Sequence, residues 1–118
     1  METIDRFYER LVENEKIYGV LIFKDGDPIR TNMDDDTAKQ FIEFTTEIFR
    51  HAGESLSRLP DLTGEINFVT ITLRNGLVVL LVRYAEYHLV VVARSSVAVS
   101  GKIESLIEEV RKILEKQP

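Results

Sequence analysis

Apolar residues follow two different rhythms along this chain, and the switches between them mark its elements. Ile4, Phe7 and Leu11, with Tyr8 and Val12 beside them, recur at three- and four-residue spacing. That spacing predicts a short amphipathic helix over residues 3–15. Residues 17–23 are almost continuously apolar and β-branched at Ile17, Val20 and Ile22, the signature of a strand buried on both faces. Lys24-Asp25-Gly26-Asp27 supplies a reversal, and residues 28–31 form a short returning strand. Pro28 has no amide hydrogen, so that strand belongs at an edge or starts there. The longest helical pattern follows Asp34-Asp35-Asp36 and covers residues 36–59. Ala38, Phe41, Ile42, Thr45, Ile48, Phe49, Ala52, Leu56 and Leu59 fall within one arc, at about 100° per residue. Gly53 weakens the helix by about 1 kcal/mol relative to Ala, and Pro60 stops it because its ring disfavours helical geometry in the preceding residue.

Residues 66–74 alternate β-branched and polar positions, as a half-exposed strand does. Asn75-Gly76 predicts a two-residue hairpin turn with both central residues at positive φ. A near-continuous apolar strand, 77–83, comes next. Tyr84-Ala85-Glu86-Tyr87 is a turn, with both tyrosines expected to pack over the hairpin, and 88–93 is another buried strand. Ile103, Leu106, Ile107, Val110, Ile113 and Leu114 then form a helical stripe within residues 97–116. Its first residue is open, because Ser95, Ser96 and Ser100 are all competent caps. The order α-β-β-α-β-β-β-α predicts an α+β sandwich in one domain, residues 1–118, with a five-stranded, mainly antiparallel sheet. So apolar a sheet needs helices on both faces.

Composition narrows the function more than the fold. The chain has 118 residues, no cysteine and two histidines, so thiolate chemistry and multi-histidine metal centres are excluded. Twenty acidic against fifteen basic residues give a net charge of −5. No basic stripe interleaved with aromatics offsets that charge, so nucleic-acid binding is not expected. The N-terminus carries acids where a signal peptide carries positive charge. The longest apolar run, 76–82, is far short of the ~20 residues of a spanning helix. A cytoplasmic protein without membrane insertion is the expectation.

Each possible catalytic feature has a simpler structural reading. Asp34-Asp35-Asp36 has the hard oxygen donors that Mg2+ or Ca2+ takes, but acids before a long helix cap free amides and oppose its dipole. The 24–28 segment lacks the spaced glycines and the Gly-Lys-Ser/Thr ending of a phosphate loop. Gly53-Glu54-Ser55 has no second glycine at nucleophile-elbow spacing. His51 falls on a helix flank and His88 near the start of a strand, neither with a positioned partner for acid–base work. No enzyme, metal or cofactor is expected.

Particular segments resemble the roadblock family of dynein light chains and small-GTPase regulators. They are Tyr18-Gly19-Val20-Leu21-Ile22-Phe23 followed by Gly26-Asp27-Pro28-Ile29, and then Asn32-Met33-Asp34 at the entry to the long helix. Asn67-Phe68-Val69-Thr70-Ile71, Asn75-Gly76-Leu77-Val78-Val79 and residues 84–92 are similar to the family's later strands, so the likeness spans residues 3–94. It implies a roadblock/profilin-like fold. The third helix departs from the shorter dynein-type chains and leans toward the scaffold and GTPase-regulator branch.

Two features read from the residues alone point to a partner. Phe44 lies about 100° from the centre of the long helix's apolar arc, at its flank beside Gln40 and His51. Strand 66–74, if it ends the sheet, presents backbone groups that neither Pro nor an inward Lys protects. The resemblance implies antiparallel pairing of that strand with its copy, or with a related roadblock chain. Gln40, Phe44, His51, Asn67, Phe68, Thr70 and Thr72 would then form the dimer interface. It further implies a Ras-like small GTPase as partner, with Glu43, Glu47, Arg50 and Glu54 as candidate contacts. The alternative is a dynein light-chain role in motor or cargo attachment. A small-ligand sensor, a third class, would need a polar cavity that these apolar strands do not suggest.

Overall fold

Strand composition decides where each strand sits. The computed structural model describes residues 4–59, 66–84, 86–94, 108, 109 and 112. Its elements are α1 (Ile4–Val12), β1 (Ile17–Lys24), β2 (Asp27–Thr31), α2 (Asp35–Leu56), β3 (Phe68–Thr72), β4 (Leu77–Tyr84) and β5 (Tyr87–Arg94). The strands form one antiparallel sheet in the order β2-β1-β5-β4-β3. The long apolar strands β1, β5 and β4 are central, where both faces are buried. The short, mixed strands β2 and β3 take the borders, as Pro28 and the threonines of residues 66–74 predict.

Alternation along each strand feeds two cores. Val20, Ile22, Leu80 and Leu89 face α1 and meet Phe7, Tyr8 and Leu11. Leu21, Phe23, Leu81 and Val90 face α2 and meet Ala38 and Phe49. Full burial of each large side chain contributes about 1.5–3 kcal/mol, so both helices are held mainly by the sheet. Arg10 of α1 forms an ion pair with Glu109, and Glu108, Glu109 and Lys112 are helical. The rest of the expected 97–116 helix, the loop around Pro60 and the Tyr84 side chain lie outside the described residues.

The β2–α2 junction is held by side chains acting as backbone. Asn32 Oδ1 accepts from the Val20 amide at 2.8 Å while the Asn32 amide donates to the Val20 carbonyl at 3.2 Å, so one residue prolongs the β1–β2 ladder. Met33 then tucks against Gly19, where an added Cβ would lie 3.1 Å from the Met33 methyl. Asp34 caps α2 by accepting from the Thr37 amide at 2.8 Å, which keeps its carboxyl below the usual range. This is the structural reading of the acidic triplet.

Two expectations are corrected. The turn with two positive-φ residues is at Asp25-Gly26 (φ 52° and 82°), not at Asn75-Gly76, where only Gly76 is positive (φ 85°). Gly76 instead closes a four-residue turn by donating to the Leu73 carbonyl at 3.3 Å, and Leu73 and Leu77 pair across its base. A single left-handed glycine after an ordinary turn serves a hairpin as well as an Asn-Gly pair does. The long helix ends at Leu56, not 59, so Leu59 is 51% exposed instead of in the core. Ser57 supplies the closing amide to the Gly53 carbonyl.

Candidate functional site

Backbone register shows which groups β3 leaves open. The Arg83 amide donates to the Asn67 carbonyl and the Leu73 amide to the Leu77 carbonyl, at 2.7 and 2.8 Å. With the β3–β4 register, residues 67, 69, 71 and 73 therefore point their backbone groups at β4. Phe68, Thr70 and Thr72 point theirs out of the sheet. Their side chains lie on the α1 face, while Val69 and Ile71 pack on the α2 core. No Pro, Lys or other charge lies within β3, so the usual defences of a sheet edge are missing.

An apolar groove runs beside this edge. Gln40, Phe41 and Phe44 of α2 form one wall, and Ile71, Leu73 and Val79 form the other, around about 340 Å³. Phe44 is 40% and Leu73 41% exposed, and the Phe41 and Phe44 rings meet edge to face at 6.5 Å. None of the six lining residues is charged. Phe68 adds exposed aromatic surface on the opposite face of the same strand.

The outward face of α2 is polar and internally bonded. Glu47 accepts from Arg50 at 2.6 Å and contacts His51 at 3.0 Å, and Arg50 reaches Glu54 at 3.5 Å. The Arg50 hydrogen bond holds the Glu47 carboxyl below its ordinary range. Exposed pairs of this kind add little stability.

The structure thus gathers Gln40, Phe44 and the β3 residues Phe68, Thr70 and Thr72 at one border, with Asn67 just before β3. It places His51 two turns further along α2, within the ion-pair network and outside the groove. Of the four candidate partner contacts, Glu47, Arg50 and Glu54 share that network. Glu43 lines a different groove, on the β2 side. Sequence reading missed Phe41, Ile71 and Leu73 as lining residues. The alternation Val69, Ile71, Leu73 was the available signal, but only the β4 register says that Leu73 still faces α2.

A second cluster lies beneath the C-terminal half of α2. His88 stacks on Phe23 at 4.6 Å and tilts against Phe49 at 5.8 Å, while the Arg83 guanidinium covers Phe49 at 4.8 Å. Burial pushes the His88 imidazole below its usual range, and the Arg83 charge pushes the same way. The Glu86 backbone pushes the other way without reversing the shift. This is a packing role. Among the described residues no His, Asp and Glu group could hold a metal ion, and no helix is long and apolar enough to cross a membrane.

No protein-family model and no curated protein matches the sequence. A solved structure, the crystal structure of a Roadblock/LC7 domain from Streptomyces avermitilis, matches the fold with a TM-score of 0.71. The match covers 98% of this chain and 100% of that one at 16% identity. The chain has the Roadblock/LC7 fold.

Proposed function

We propose that this chain is a non-enzymatic scaffold that forms a homodimer through β3 and presents its paired α2 helices to a Ras-like small GTPase. The observation that carries the dimer is the continuity of an uncharged apolar groove with an unprotected strand edge whose outward groups are those of Phe68, Thr70 and Thr72. Antiparallel pairing of two copies satisfies those groups and covers Phe44 and Leu73 in the same step. A border free of charge can meet its own copy without repulsion and without burying an unpaired charge. The second copy therefore suits this border.

The GTPase reading rests on the family resemblance and on the outward stripe of α2, where Glu47, Arg50 and Glu54 form one exposed ion-pair network. Pairing places two such stripes side by side as one polar platform. Light scattering is expected to give twice the chain mass for the wild type and a single-chain mass for Phe44→Glu. Titration of the dimer with Ras-like GTPases, loaded with GDP or a GTP analogue, tests the partner. Binding that is unchanged by Arg50→Glu removes α2 as the contact.

A further inference from the structure

The open length of β3 is closed off at both ends by its own neighbours. Before the strand, the Arg83 guanidinium donates to the Ile66 carbonyl at 2.8 Å, and the Arg83 amide donates to the Asn67 carbonyl at 2.7 Å. Beyond the strand, the Leu73 amide donates to the Leu77 carbonyl and the Gly76 amide donates back to the Leu73 carbonyl, so the chain turns away into β4. Between these closures the outward backbone groups are those of Phe68, Thr70 and Thr72, with Thr70 at the centre.

Two antiparallel copies of this edge can meet only in registers that set outward residues against outward residues. One register uses the whole open length: Phe68 faces the partner's Thr72, Thr70 faces the partner's Thr70, and Thr72 faces the partner's Phe68. Each of these pairs exchanges two backbone hydrogen bonds. Moving the axis one residue toward the start of β3 sets Thr72 against the partner's Ile66, whose carbonyl Arg83 already holds. It also sets the apolar Ile71 against the partner's Asn67. Moving the axis one residue toward the end sets Phe68 against the partner's Arg74, inside the turn. Side chains match in the central register as well. On the α1 face the exposed Phe68 ring lies against a β-branched residue, a pairing that antiparallel sheets favour. On the α2 face Val69 faces the partner's Ile71, which continues the apolar layer beneath α2 across the axis.

We propose that Thr70 lies on the twofold axis with Phe68 seated on the partner's Thr72, and that these three residues determine which strand the β3 border accepts. The proposal rests on the β3 dimer put forward above and supplies its register. Only a residue on the axis faces its own copy. A charge at position 70 therefore meets the same charge, while a charge at position 68 or 72 does not.

The chain has no cysteine, so single cysteines placed along β3 report the register directly. Opposed residues of a hydrogen-bonded pair have Cα atoms about 5.5 Å apart, within the range a disulfide spans. Residue 68 and its copy lie four positions apart along the strand, about 13 Å. On mild oxidation Thr70→Cys is expected to form a covalent dimer by itself. Phe68→Cys and Thr72→Cys are expected to cross-link only when mixed with each other. Light scattering of the wild type and of the reduced variants gives the mass before oxidation. Thr70→Lys and Thr70→Glu are each expected to lose about tenfold in self-association at low salt and to recover it when mixed. Phe68→Lys mixed with Phe68→Glu is expected to show no such recovery. A wild type of twice the chain mass, with Phe68→Cys or Thr72→Cys linking to its own copy or Thr70→Cys failing to link, overturns the register and leaves the dimer standing. A single-chain mass for the wild type removes the dimer and the register with it.

Discussion

At one border of the sheet, β3 offers outward backbone groups, no proline, no charge, and a groove walled by Phe44 and Leu73. At the other, β2 contains Pro28 and a bulge in its pairing with β1, and the rim of its groove carries Asp35, Lys39 and Glu43. Both are short strands against a long helix, and α2 supplies a wall to each groove. Proline, strand regularity and charge make them differ. A second copy brings the same surface to the contact, so an uncharged border meets its copy without leaving a buried charge unpaired. Pro28, the bulge and the charged rim thus act as edge protection on β2.

The strongest way to break this comparison is Thr70→Pro. The Thr70 amide points out of the sheet, so proline there removes a donor from the border and leaves the β3–β4 ladder intact. The proposed dimer is expected to weaken at least about a hundredfold, since the ring also blocks close approach of a second strand. Sedimentation should then give single-chain mass, while Asp35→Lys/Glu43→Lys keeps the wild-type mass. A dimer that survives Thr70→Pro sinks the β3 reading. A gentler change moves the first border toward the second. In the proposed dimer Gln40→Glu adds a carboxylate from each copy to the β3 groove, and an effect of about tenfold on dimer affinity at low salt is expected. Raising the salt should recover most of it, whereas a purely steric effect would be insensitive to salt.

These borders were partly legible before any coordinates. Pro28 marked β2 as peripheral, and the mixed polarity of residues 66–74 marked β3 as half-exposed. The helical wheel set Phe44 at the flank of α2. What stayed hidden required pairing across the sequence. The position of Leu73 depends on its bond to Leu77, and the start of the open edge depends on Arg83 reaching Ile66. Those are contacts between distant segments, and no local periodicity encodes them. Likewise Asn75-Gly76 is compatible with two turn types, and the β3–β4 register selects the one that keeps Leu73 facing α2. The early end of the long helix escaped notice because Leu59 continues the apolar period although the backbone has already left it.

Between the two borders lies His88, and its titration gives a smaller effect. The imidazole is held below its ordinary value of 6.5 in the folded chain, by burial first and by Arg83 second. Below pH 6.5 the unfolded chain therefore takes up a proton that the folded chain refuses, so stability falls as the pH is lowered through that window. Asp34 and Glu47 are shifted down from 3.8 and 4.5, so their contributions are lost only in more acid solution. Thermal unfolding followed from pH 7 to about pH 5 should show a falling midpoint. His88→Phe, which keeps a ring on Phe23, should flatten that slope. An equal slope in the variant would assign the acid sensitivity elsewhere.

The smallest expected effect concerns the side of α2 that both grooves share. One turn before Thr45, Phe41 lines the β3 groove and Ile42 the β2 groove. Thr45 itself is fully buried, and its hydroxyl has no partner among the described residues. Its neighbour Thr46, exposed, donates to the Ile42 carbonyl at 2.8 Å. A hydroxyl that is dry and unpaired carries a desolvation cost without a compensating bond, so Thr45→Val is expected to stabilise the chain by about 1 kcal/mol. That corresponds to a midpoint about 4 °C higher. Thr45→Ser removes the buried methyl and keeps the hydroxyl, and is expected to destabilise by about 1 kcal/mol. The two variants together separate packing from polarity at one position. Opposite signs mean that the layer beneath both grooves is sealed from water. Destabilisation by both means that the hydroxyl has a partner, such as a water reaching it from one of the grooves, and the walls formed by Phe41 and Ile42 are then not watertight.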